Sequence, residues 1–248
     1  MRKLFVFFVV MIIQLQVINA RQITDSLPSK EYRLQYKNFI VPAIFISYGI
    51  GSLASKDLRQ LNLSTRHEIS EHQPDHIRLD NYTQYMPAAM VYGLNAAGIK
   101  GAHDFKDRTM IYATSQLISA AIVTPLKHLV KEERPDGSNN LSFPSGHTAT
   151  AFSSAQFLFR EYKDRNIWLS ISGYPLAVFT GVYRTLNNKH WVGDVVAGAG
   201  VGILSTELSY WLYPKFNKLF NKKGTNHSTA FYPYMQQGSY GIGFARQF

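Results

Sequence analysis

Three short stretches of this 248-residue sequence hold the residue types that phosphate chemistry needs. The first is KHLVKEERP, in which Lys127 and Arg134 stand seven residues apart. Two helical turns bring such positions onto one face, so the spacing predicts two cations converging on one anion. The second is SFPSGHTATAF. Ser145 is the predicted N-cap of a helix whose small and apolar residues follow at helical spacing. The exposed backbone N–H groups of a helix start favour a phosphate oxygen. Gly146 permits close approach, and His147 stands beside the bound anion. The third is YRTLNNKHWVGD. Arg184 supplies a forked donor, and His190 and Asp194 lie four apart at a predicted helix start. A carboxylate so placed accepts from one imidazole nitrogen and leaves the other free as a nucleophile. Each stretch alone has a plainer account: a solvated helix end, an ordinary N-cap, a structural pair on a helix. Their conjunction points to phosphoryl chemistry.

Taken together, the stretches resemble the type 2 phosphatidic acid phosphatases, a family that shares its fold and site with vanadium haloperoxidases and class A bacterial acid phosphatases. The family pattern is Lys, six residues, Arg-Pro; then Pro-Ser-Gly-His; then Ser-Arg, five residues, His, three residues, Asp. The matching positions are Lys127, Arg134 and Pro135; Pro144, Ser145, Gly146 and His147; and Arg184, His190 and Asp194. Tyr183 departs from the pattern by standing where serine is usual, and the link between Pro135 and Pro144 is short. The resemblance covers residues 85–213. It implies that His190 attacks phosphorus, that Asp194 orients its ring, and that His147 protonates the leaving oxygen and later activates water. It implies that Lys127, Arg134, Arg184, Ser145 and Gly146 hold the phosphate oxygens, that no metal or other cofactor takes part, and that vanadate inhibits.

Five helices are predicted to position these residues, over 85–99, 109–130, 146–159, 167–183 and 191–213, with a further apolar segment over 39–54 that carries Pro42 and two glycines. The expected fold is all-α, a bundle of about five or six helices with the site at one end, embedded in a membrane. Small residues in VVAGAGVGILS let helix backbones approach closely, as membrane packing favours. Residues 1–20 read as a secretory leader with cleavage after Ala20, residues 21–82 as a polar lead-in with one apolar helix, residues 83–214 as the catalytic domain, and residues 215–248 as a basic connector and aromatic tail. His67, His72 and His76 lie in a polar stretch with no ligand spacing, so a solvated loop is expected there and no metal site. The tail reads as one amphipathic strand or, more plainly, as a flexible end.

The charge balance, 26 Lys and Arg against 16 Asp and Glu, favours an acidic partner. The basic residues form no stripe, which argues against nucleic acid, and anionic lipid or a phosphorylated molecule fits better. With no cysteine, thiolate chemistry and disulfides are excluded. Basic connectors at 100–108, 160–165 and 215–223 face the cytoplasm by the positive-inside tendency, which turns the site outward. A cleaved leader followed by three spans before Lys127 would turn it inward instead. The expected resolution is that 39–54 packs on the bundle or the membrane surface without crossing; a periplasmic bundle resting on lipid is the other. The functional expectation is a phosphohydrolase of the cell envelope acting on a lipid such as lipid A, undecaprenyl pyrophosphate or phosphatidylglycerol phosphate. A soluble acid phosphatase, a vanadium haloperoxidase and a non-enzymatic lipid-binding protein are the alternatives, and no motif names a head group.

Overall fold

The computed structural model describes residues 35–72, 78–220, 229–236 and 239–246. Among them the helices are α1 (Lys37–Ala54), α2 (Lys56–His72), α3 (Asp80–Thr83), α4 (Met86–Ala96), α5 (Phe105–Val130), α6 (Gly146–Tyr162), α7 (Ile167–Ile171), α8 (Gly173–Leu186) and α9 (Val192–Phe220). The all-α expectation holds for the bundle. The segment expected as one helix over 167–183 is two, broken at Ser172. Pro175 has no N–H to return to Ile171, so the helical ladder cannot run through. The lead-in also departs from expectation: it holds a second long helix, α2, where a solvated loop was expected. Asn62 and Ile69 are its buried positions, a stripe too narrow to stand out among so many polar residues. His67 lies exposed on α2 against Glu71, and among the described residues no cluster suited to a metal occurs. The leader read over residues 1–20 lies outside the described residues.

The small residues of α9 face two neighbours. A Cβ on Gly198 would lie 2.5 Å from the Ser145 carbonyl oxygen, and one on Gly202 would strike the backbone of Ala149, so this face lies directly on the start of α6. Gly200 meets Pro42, Phe45 and Ile46, and Gly193 meets Ser52, so the other face lies along α1. Because position 42 pairs with 200 and position 52 with 193, α1 runs antiparallel to α9. The VVAGAGVGILS segment therefore serves backbone approach on both sides, as its composition suggests. Alanine at Gly198 is expected to push Ser145 and Gly146 out of place, at about 1–3 kcal/mol of overpacking. Vanadate affinity should fall more than tenfold by titration, whereas Gly93→Ala on α4, whose Cβ meets nothing within 4 Å, should leave affinity and melting temperature alone.

Polarity is arranged with apolar side chains outward and polar ones inward. Leu117 is 71% exposed and Leu129 77%, with Val178, Val182, Ile40 and Ile44 also outward. Inside, Ser115, Ser153 and Thr206 form a hydroxyl chain between α5, α6 and α9, and Arg160 pairs with buried Glu207. A hydrocarbon surround rewards this inversion, because apolar surface is free to face lipid and polar groups must find partners internally. Among the described residues three helices, Lys37–Ala54, Phe105–Val130 and the stretch Val192–Asn217, are long and apolar enough to cross a membrane.

At the end of the bundle opposite Lys127, the Glu161 carboxylate accepts from His103 N–H (3.1 Å), His103 Nδ1 (2.7 Å) and Tyr210 Oη (2.8 Å), and Ala102 N–H reaches the Glu161 carbonyl. These bonds tie the α4–α5 connector to the last turn of α6. Basic connectors 100–108 and 160–165 thus share that end, as expected.

Residues 212–248 form a second unit. In it β1 (Thr229–Gln236) and β2 (Ser239–Arg246) pair antiparallel, from Thr229 opposite Arg246 to Gln236 opposite Ser239. The single strand or flexible tail of the sequence reading is a two-stranded ribbon.

Candidate active site

The N-cap of α6 forms as predicted: Ser145 Oγ accepts from Thr148 N–H. Its backbone is used differently from expectation. Ser145 N–H donates to the Asp194 carbonyl (3.0 Å), which stitches α6 to α9 and removes that N–H from any anion site. The open donors of the helix start are then the N–H groups of Gly146 and His147.

Asp194 occupies the third position of α9, and its Oδ2 reaches back to the N–H of Trp191 at 2.9 Å. This half of a capping box closes the helix start and also aims the carboxylate at His190. Oδ2 accepts from Ser142 Oγ at 2.5 Å and lies 3.5 Å from His190 Nδ1. His190 is only 2% exposed and Asp194 1%. Burial, against the pull of Asp194, holds the His190 imidazole down to about 4, so the ring is neutral at physiological pH. With Nδ1 turned to the carboxylate, Nε2 keeps its lone pair for the pocket.

Lys127 and Arg134 both reach the site, but not from one helical face. Helix α5 ends at Val130, Lys131 caps it in the left-handed region at φ 52°, and Arg134 lies in the loop beyond. Lys127 Nζ donates to the carbonyls of Leu141 (2.6 Å) and Ser142 (3.2 Å), pinning the segment that leads into α6. Arg134 N–H bonds the Asn139 carbonyl, and its Nε is buried without a partner, as is Arg184 Nε. Two buried guanidinium donors with nothing to bind are what an anion pocket presents before its anion arrives. His147 lies within the electrostatic reach of Lys127, Arg134 and Arg184.

Three contributors escaped the sequence reading. Asp80, 1% exposed, accepts from Arg184 Nη1 at 2.7 Å. Asn81 Oδ1 lies 2.9 Å from His147 Nε2. Ser142 bridges the His190–Asp194 pair. Asp80 and Asn81 come from the polar stretch that the sequence reading left without chemistry. Tyr183, at the position where serine was expected, packs on Phe179 with the rings tilted by 35° and 4.4 Å between centroids. A polar cavity of about 440 Å³ adjoins the site, lined by Arg78, Asp80, Arg184, Asn187 and Asn188.

This geometry brings all eight predicted positions to one end of the bundle. The PAP2 superfamily model matches residues 108–218, which takes in every one of them. Over those residues the chain is similar to the PAP2 superfamily. The chain is 39% identical over 138 residues to a lipid A 1-phosphatase of Porphyromonas gingivalis, covering 55% of this chain and 31% of that one. It is 36% identical over 77 residues to the bacitracin transport permease protein BcrC of Bacillus licheniformis, covering 31% of this chain and 36% of that one. The chain thus spans about a third of the length of these relatives. The crystal structure of Aquifex aeolicus LpxE aligns with 60% of this chain and 94% of its own, at 22% identity and a TM-score of 0.46. The residues matching the family pattern lie at one end of the bundle, where α3 adds Asp80 beside Arg184 and Asn81 beside His147.

Proposed function

We propose that this chain is a metal-independent phosphohydrolase that removes phosphate from a phosphorylated lipid through a phosphohistidine. The observation that carries the reading is the neutral, buried His190 oriented by Asp194 beside two guanidinium groups with unpaired buried donors. His190 Nε2 attacks phosphorus, the bond from phosphorus to the leaving oxygen breaks, and His147, whose imidazole burial and the nearby cations hold down to about 4 until the phosphate charge offsets those cations, gives that oxygen its proton. Water then attacks the phosphohistidine, His147 takes the water's proton, and phosphate leaves with the imidazole restored. Lys127, Arg134, Arg184 and the N–H groups of Gly146 and His147 stabilise the equatorial oxygens, which is where most of the catalytic effect in phosphoryl transfer arises.

A lipid substrate is supported by the outward apolar surface, by the names of the relatives, and by an apolar groove of about 730 Å³ beside the start of α9. Phe45, Ile69, Val182, Leu186 and Val195 line it, and acyl chains are the occupants that fit. The polar cavity beside Arg184 takes the head group. The site faces away from the cytoplasm, since basic connectors 100–108 and 160–165 gather at the other end. Helix α1 starts at that basic end and finishes beside Gly193 near the site, so counting it as a span puts Lys37 on the cytoplasmic side. An outward site then fits a lead-in that was never translocated better than one released by cleavage after Ala20.

The test is phosphate release by the detergent-purified protein from lipid A 1-phosphate, undecaprenyl pyrophosphate and phosphatidylglycerol phosphate, with and without vanadate. Turnover of at least one lipid that vanadate suppresses is expected. No release from any of the three would overturn the reading.

A further inference from the structure

Glu132 sits in the loop after α5, and its carbonyl accepts from Ser142 N–H at 2.9 Å. It is therefore tied to the segment that delivers Ser142 to Asp194. Its carboxyl neighbours that of Asp194 and interacts with it electrostatically. Glu132 Oε2 and Asp194 Oδ1 are both sealed from solvent, and neither has a hydrogen-bond partner while both groups are ionised. Two acceptors cannot satisfy each other, and buried polar atoms are rarely left unpaired. One proton between them satisfies both. The other Asp194 oxygen is already committed to Ser142 Oγ, Trp191 N–H and His190 Nδ1.

We propose that Glu132 is a positioning residue that stays protonated at neutral pH and donates to Asp194 Oδ1, so that the pair carries a single negative charge and holds Oδ2 toward His190. The catalytic consequence rests on the nucleophile reading of His190; the shared proton does not. Burial and the neighbouring Asp194 push the Glu132 carboxyl up to about 9. The charged and titratable groups around the pair are Arg59 from α2, Lys127 from α5, Arg134 from the loop, Arg184 from α8 and His190. Arg59 favours ionisation of Glu132, and burial together with Asp194 outweighs it. As pH rises through about 9 the proton leaves, two carboxylates face each other, and Asp194 loses its orientation.

The experiment compares the full chain with Glu132→Gln and Glu132→Leu by infrared titration and by kinetics. Glutamine keeps a donor toward Asp194 and cannot ionise; leucine removes the donor. The wild type should show a protonated-carboxyl band at pH 7 that disappears near pH 9 and is missing from Glu132→Gln. A band unchanged in Glu132→Gln overturns the proposal even if no substrate is turned over, which separates its failure from that of the phosphatase reading. In kinetics, Glu132→Leu should lose about 10- to 100-fold in kcat with little change in KM, a loss typical of residues that orient a functional group from behind. Glu132→Gln should recover at least about tenfold of that and lack the basic limb near pH 9. Equal damage in both variants, or a basic limb retained in Glu132→Gln, overturns the positioning role.

Discussion

Alanine at His190 is expected to reduce lipid phosphate release by about 10⁴-fold or more, leaving the protein folded and able to bind vanadate. Removing the nucleophile from a site whose members act as a unit costs this much, because the surviving cations bind the phosphate but give phosphorus nothing to bond. Labelling with a ³²P substrate and rapid acid-free quenching should trap a phosphoprotein in the wild type and none in His190→Ala. The pH dependence carries a second signature of the same residue. Burial lowers the His190 imidazole to about 4, so the nucleophilic lone pair is present above that pH and lost as pH falls through it. A solvated imidazole would fail two to three units higher, near its ordinary value of about 6.5. The acid limb of kcat/KM in the free enzyme is therefore expected close to pH 4. A nucleophile-assigned limb at the ordinary imidazole value would mean that His190 is hydrated in solution and that the buried geometry does not describe the working site.

How far the sequence reached follows from where each side chain gets its position. Ser145 and His147 were legible because an N-cap and its first turn are local: the cap hydrogen bond to Thr148 spans three residues. His190 and Asp194 were legible for the same reason, with a capping contact and a four-residue spacing. Lys127 and Arg134 do come to the same end of the bundle, but their shared helical face was not real. A left-handed Lys131 stops α5 three residues before Arg134, and nothing in KHLVKEERP announces that turn. Ser142 was in plain view inside SFPSGH, yet its partner lies 52 residues on. Asp80 is 104 residues from Arg184 and sits in a stretch whose composition reads as solvent-exposed, so only tertiary packing reveals it. The fold shows the same division. Helix existence followed from apolar periodicity, whereas the amphipathic stripe of α2 and the pairing of β1 with β2 depend on partners elsewhere in the chain.

Asp80 gives the largest expected effect among the residues that local pattern could not find. Its carboxylate and the Arg184 guanidinium form a 2.7 Å pair with side-chain exposures of 2% and 9%. Asp80→Ala leaves a buried cation without its counter-charge, a change that costs about 3–5 kcal/mol when one partner of a buried pair is removed. For a chain of this size that corresponds to a fall of roughly 10 °C in melting temperature. The fall should be partly reversed by removing the cation as well, so the Asp80→Ala, Arg184→Ala double variant is expected to melt above Asp80→Ala alone. An anion that occupies the pocket supplies the missing charge in another way. Vanadate should therefore raise the melting temperature of Asp80→Ala by more than it raises that of the wild type, because binding to the folded state alone shifts stability by an amount that grows with the logarithm of affinity. Phosphate release should fall as well, since Arg184 without Asp80 has only the bound anion to hold it in place. Equal vanadate stabilisation in both proteins would place Arg184 outside the anion site and confine Asp80 to a structural role.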